Sequence, residues 1–160
     1  MSNLATAVDE VILVDGPGMK EVIEVKVKSG AQFQEIIVAV AQIGKFSPEN
    51  AHIFVENESV PLDPKHKLDP KRPPHQIHHV HPQKDIHVKV HFNGQEHQMH
   101  FSPAATVNKV LAWATHEIFM SLHGTTDSLS GTAHIGRFVP HDKHSLELDV
   151  ITPPKVKIVD

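Results

Sequence analysis

The apolar positions of this chain change period twice, in the same order each time. Val11 to Lys28 reads as a strand, a turn at Asp15-Gly16-Pro17-Gly18 and a second strand in which Ile23, Val25 and Val27 alternate with charged residues. From Ala31 to about Gln42 the spacing turns helical, with Phe33, Ile36, Ile37 and Val40 on one stripe. The order returns as two alternating runs from Ile86 to Phe101. A second helical stripe then runs from Thr106 to about Phe119, carrying Val107, Val110, Leu111, Ala114 and Ile118. Each copy predicts a β-hairpin feeding one amphipathic helix, followed by short apolar runs between turn residues.

The second hairpin has the sharper signal. Asn93-Gly94 suits a type I′ turn, whose two central residues both need positive φ. Counting outward sets Ile86 opposite Phe101, Val88 opposite Met99 and Val90 opposite His97 on one face. His87 then faces His100, and Lys89 faces Gln98, on the other. One face is mainly apolar and the other wet, as in an antiparallel sheet covered by a helix on one side. Ser102 and Thr106 are candidate helix caps.

Between the copies, Pro64, Pro70, Pro73, Pro74 and Pro82 exclude a central strand over most of the stretch from Pro61 to Asp85. Only Gln76 to Val80 can supply a closing strand. So short a connector implies two lobes held close. The 160 residues allow two small domains, each of roughly eighty residues and large enough for one sheet-on-helix core. No run approaches a membrane span of about 20 apolar residues, and the N-terminus lacks a basic segment followed by an apolar core. Without cysteine there is neither a disulfide nor an iron-sulfur ligand set. A formal charge of -4 with scattered basic residues argues against a nucleic-acid surface, and a cytoplasmic location is expected.

Two segments carry a family resemblance. The run IHVKVHFNGQEHQMHFSPAATVNKV, residues 86–110, resembles the first hairpin and helix start of ubiquitin. The run FSPENAHIFVENESVPL, residues 46–62, is similar to ubiquitin from the helix end through the third strand. The resemblance implies an α+β chain of two tandem ubiquitin-like β-grasp domains, at 8–82 and 86–151, with an extended C-terminal tail at 152–160. Its general character is similar to the ubiquitin-like protein of bacterial antiphage conjugation operons of the Bil or Bub type. That likeness implies a protein modifier with E1-like, E2-like and deubiquitinase-like protease partners and target proteins. It also implies a small partner-binding patch on the wet face of the sheet. Phe54 matches the patch-forming isoleucine, and in the second copy His134 to Phe138 is the expected counterpart strand, with Ile135 or Phe138 in that position. By alternation, Phe54 is either exposed for a partner or, one register away, in the core.

The tail departs from the family pattern. Conjugated ubiquitin relatives end in Gly-Gly, whereas the last glycine here is Gly136, upstream of the apparent final strand at Leu146 to Val150. Either Asp160 presents the carboxylate as it stands, or the usual conjugation chemistry does not apply. Pro153-Pro154 extends the exit, and Lys155, Val156, Lys157, Ile158 and Val159 alternate. Such a segment either lies in a partner's groove by strand addition or folds back as an edge strand.

Histidine is abundant, with His75, His78, His79, His81, His87, His91, His97 and His100 around the junction and second hairpin. No carboxylate or cysteine at characteristic spacing completes a ligand set, so neither a metal nor another cofactor is expected. These histidines read as solvated strand positions that gain charge as pH falls through about 6.5. Neither a nucleophile elbow nor a phosphate or dinucleotide loop is present, and no catalytic residue is expected. Two functions remain: a modifier activated at its C-terminus, or a non-conjugated ubiquitin-like adaptor.

Overall fold

The computed structural model describes residues 9–114 and 119–151. Strands β1 (Asp9–Asp15) and β2 (Ile23–Lys28) form the first hairpin and lead into helix α1 (Phe33–Gly44). Strands β3 (His52–Val55) and β4 (Ile77–His81) complete a sheet of order β2-β1-β4-β3, in which β1 and β4 run parallel. Alternation puts Ile12, Val14, Ile53 and Val80 on the helix side, where they pack with Ile36, Ile37 and Val40. The proline-rich stretch before β4 is largely turns, and Leu68 from it closes this core.

The second lobe repeats the plan. Strands β5 (Ile86–Phe92) and β6 (Gln95–Phe101) pair in the register counted from the Asn93-Gly94 turn, Ile86 opposite Phe101 and Val90 opposite His97. Both turn residues have positive φ, 52° and 73°. Helix α2 (Val107–Ala114) begins at Thr106, whose hydroxyl accepts from the Lys109 amide at 3.2 Å. Strands β7 (Phe119–Leu122) and β8 (Ser145–Ile151) complete the order β6-β5-β8-β7, with β5 and β8 parallel. Two four-stranded mixed sheets, each with one helix, make this an α+β pair of tandem ubiquitin-like folds.

Three expectations are corrected. Helical spacing runs as far as Phe119, yet Phe119–Leu122 is a strand paired with β8, because tertiary pairing overrides local period there. The Ile118 position and the tail residues Lys155, Val156, Lys157, Ile158, Val159 and Asp160 lie outside the described residues. His134 to Phe138 is not a strand: Ile135–Phe138 is a short 3-10 helix, with the Arg137 amide bonded to the His134 carbonyl at 3.1 Å. Met99 shares the apolar register but stays 44% exposed, on β6 at the edge of the sheet.

Candidate functional site

The outer face of the first sheet carries Asp15, Phe54, His79 and His81, and all four are fully buried. Asp15 and Phe54 each register with His79 on the neighbouring strand, and Phe54 belongs to neither apolar core. The second lobe covers this face. Phe54 therefore points outward from its own sheet, as alternation allows, but it is no free partner contact: its cover is the chain's own second half.

The junction is polar and densely bonded. The Arg137 guanidinium forks onto Asp15, Nε to Oδ1 at 3.1 Å and Nη2 to Oδ2 at 2.9 Å. Asp15 Oδ1 also accepts from the Gly16 amide at 2.9 Å, so this buried carboxylate is compensated on both oxygens. Asn57, in the left-handed region at φ 64°, follows β3 and reaches the start of α2. Its amide donates to the Ala104 carbonyl at 3.0 Å, and its side-chain oxygen accepts from the Thr106 amide at 2.9 Å. Its carbonyl accepts from Lys109 Nζ at 3.0 Å. The Ser102 hydroxyl donates to the Glu58 carbonyl at 2.8 Å.

Histidines fill the middle. His79 and His134 face each other through their Nδ1 atoms at 3.1 Å, so one nitrogen carries the shared proton. His134 Nε2 donates to Glu56 Oε1 at 2.8 Å. His81 Nε2 donates to the Val139 carbonyl at 3.0 Å while its Nδ1 accepts from the Gln83 amide at 3.0 Å, which satisfies a neutral ring. Burial pushes His79 well below the ordinary imidazole range, with His134, His81 and Arg137 adding to the effect. Burial likewise lowers His81 and His78 to about 4 each, against the Val139 and Leu13 backbone bonds. The expectation that His78, His79 and His81 are solvated is overturned: one lies at the rim of the helix-side core, near Phe33, and two lie between the lobes.

Ile135 is fully buried in the core of the second lobe, so it is not a surface patch residue. Phe138 packs partly against that core and also lines an interlobe cleft of about 320 Å³ with Pro17, Gly44, Arg137 and His141. The structure thus gathers Phe54, Ile135 and Phe138 around the junction and not on a shared open surface.

Among the described residues, nothing packs over the outer face of the second sheet around His91 and Glu147, whose side chains are 30% and 46% exposed. His91 on β5 and Glu147 and Asp149 on β8 point to the same side, opposite Val90 and Leu148 in the core. His123, just past β7, joins them. His91 Nε2 lies 3.0 Å from Glu147 Oε2, and His123 Nδ1 lies 2.9 Å from Asp149 Oδ1. The Asp149 hydrogen bond raises the His123 pKa, and the His91 hydrogen bond lowers that of Glu147. Partial burial pushes Asp149 up, but bonds from His123 and the Gly124 amide outweigh it and hold the carboxyl low. Sequence spacing gave no sign of this group, because the parallel β5/β8 register that assembles it is set by contacts across 56 residues.

This topology defines a tandem ubiquitin-like protein. Residues 87–153 match the family model described as BilA ubiquitin-like domain 2, over less than half of the 160-residue chain. That segment is similar to a ubiquitin-like domain of the Bil type, in line with the resemblance carried by residues 86–110. Among solved structures, the RA domain of guanine nucleotide exchange factor for Rap1 is similar at 16% identity and a TM-score of 0.40, over 62% of this chain and 90% of that one. No curated protein matches. No helix among the described residues is long and apolar enough to cross a membrane.

Proposed function

We propose that the chain is a ubiquitin-like protein modifier in bacterial antiviral defence, working in the cytoplasm and not itself an enzyme. An E1-like enzyme activates its C-terminal carboxylate, and an E2-like enzyme carries it to an amine of a target protein. A deubiquitinase-like protease removes it. The similarity of residues 87–153 to BilA ubiquitin-like domain 2 carries this reading. In it, Lys155 to Val159 lie in the activating enzyme's groove and Asp160 presents the carboxylate. Asp160 is bulkier than glycine and charged, so it calls for a wider or more basic channel than a glycine-specific enzyme has. Because the second lobe covers the outer face of the first, recognition falls on the second lobe and the segment beyond β8.

The test is incubation of the full chain with E1-like and E2-like enzymes and ATP, followed by mass spectrometry. The expected product is a reductant-labile thioester and then an amide, both mapping to the C-terminus. Deletion of residues 155–160 abolishes the adduct and leaves the thermal midpoint in place. If the intact chain forms no adduct, or the deletion changes nothing, the adaptor reading replaces this one.

A further inference from the structure

We propose that His91, His123 and Asp149, with Glu147, form a zinc site on the open outer face of the second sheet. One ligand atom from each of the first three lies within 4.8 Å of the others. Glu147 Oε2 lies beside this trio, 3.0 Å from His91 Nε2 and 3.8 Å from His123 Nε2, close enough to swing in as a fourth donor. Tetrahedral zinc with N and O ligands needs donors about 3.3 Å apart, so rotations of side chains on fixed strands bring all four into range. Two neutral imidazoles and two carboxylates give the site a charge that balances a divalent cation. Imidazole selects zinc and its late first-row neighbours over calcium and magnesium, which take oxygen ligands.

The position favours binding. His123 is half-exposed and His91 partly so, which gives an ion direct access. Lys89, whose charge also reaches His123 and Glu147, lies 3.8 Å from Glu96 on the hairpin side. The Gly124 amide donates to Asp149 Oδ2 at 2.9 Å, and Oδ1, which meets His123 Nδ1 at 2.9 Å, is the oxygen that turns to the ion as that bond gives way. A second group, Asp15, His79 and His134, also converges, but it is sealed between the lobes and both Asp15 oxygens already serve Arg137. An ion there would have no entry and would sit beside a guanidinium. Bound on the outer face instead, zinc fastens β5, β8 and the turn after β7 without touching either core.

Titration of the full chain with zinc chloride, followed calorimetrically and by imidazole NMR, decides the matter. One zinc binds per chain, and the ring resonances of His91 and His123 move while those of the stacked pair His87 and His100 stay in place. The double variant His91→Ala/His123→Ala, and separately Asp149→Asn, weaken binding more than about tenfold. The double variant His87→Ala/His100→Ala leaves it unchanged, and calcium does not compete. Zinc affinity that survives loss of His91 and His123, or ring shifts confined to His87 and His100, overturns the assignment.

Discussion

Arg137 reaches from the second lobe to Asp15 at the end of β1 and closes both oxygens of a carboxylate that solvent does not touch. A buried charge keeps its place only while it is paired and hydrogen-bonded. Arg137→Ala leaves the Asp15 charge with the Gly16 amide alone, and the expected loss is about 3 kcal/mol or more by denaturant titration. Replacing both groups together, Asp15→Leu with Arg137→Met, recovers most of that loss, because no charge is then stranded. An Arg137→Ala midpoint equal to wild type would show that the fork is ornamental.

Gly136 sits where backbone meets ring. A Cβ built there clashes with His79 Nε2 and lies 2.7 Å from Pro103 Cβ. The constraint is close approach, since this glycine has no positive φ. Gly136→Ala must push His79 from its place against His134, and a cost of about 1 to 3 kcal/mol follows from overpacking. Gly124→Ala meets open space but strains a backbone at φ 83°, so it serves as a control for conformation without contact. In protection experiments, amide exchange at Asn57 and Gly18 should quicken in Gly136→Ala and not in Gly124→Ala, because their bonds cross the junction.

Acid should loosen the molecule before carboxylates titrate. His78 and His81 stay neutral in the fold down to about pH 4, and His79 is held low as well, whereas the unfolded chain takes up protons near 6.5. Between those values the unfolded state binds more protons, so stability falls as pH falls. Above about 6.5 the full stability is present. Thermal midpoints at pH 7.5, 6, 5 and 4.5 should therefore decline steadily, and His81→Gln should shallow the slope by removing one of the groups. A flat profile from pH 7 to 5 would mean that these rings are not held neutral.

The hairpins and helices were legible because their determinants are local. Asn93-Gly94 set a register that the strand pairs reproduce, and the stripes Ile36, Ile37, Val40 and Val107, Val110, Leu111 are buried as spaced. The junction was not legible. Its residues alternate like any solvated strand face, and nothing within β4 says that His79 and His81 meet another lobe while His75 does not. Nothing in the local pattern marks Asn57, Glu56 or Arg137 as junction residues either. Their partners lie 49, 78 and 122 positions away, a separation no local period encodes. The third strand of the second copy failed differently: Phe119–Leu122 is too short to outweigh the helical spacing that precedes it.

Phe54 and Leu111 separate the two ways in which this fold uses an apolar side chain. Leu111 is 6% exposed inside the second core, and Leu111→Ala should cost about 2 to 5 kcal/mol. Phe54 is at 0% but lies outside both cores, on the face that the second lobe covers. Were it an exposed partner contact, Phe54→Ala would leave stability within about 0.5 kcal/mol of wild type. Its burial predicts a loss of about 3 to 5 kcal/mol instead. Because the cavity would open between the lobes, Phe54→Ala should also speed amide exchange at Asn57, whose bond to Ala104 crosses the junction. Leu111→Ala should leave the β1–β4 amides protected relative to the second lobe. Wild-type stability for Phe54→Ala would return this residue to the surface and reopen the first sheet as a docking face.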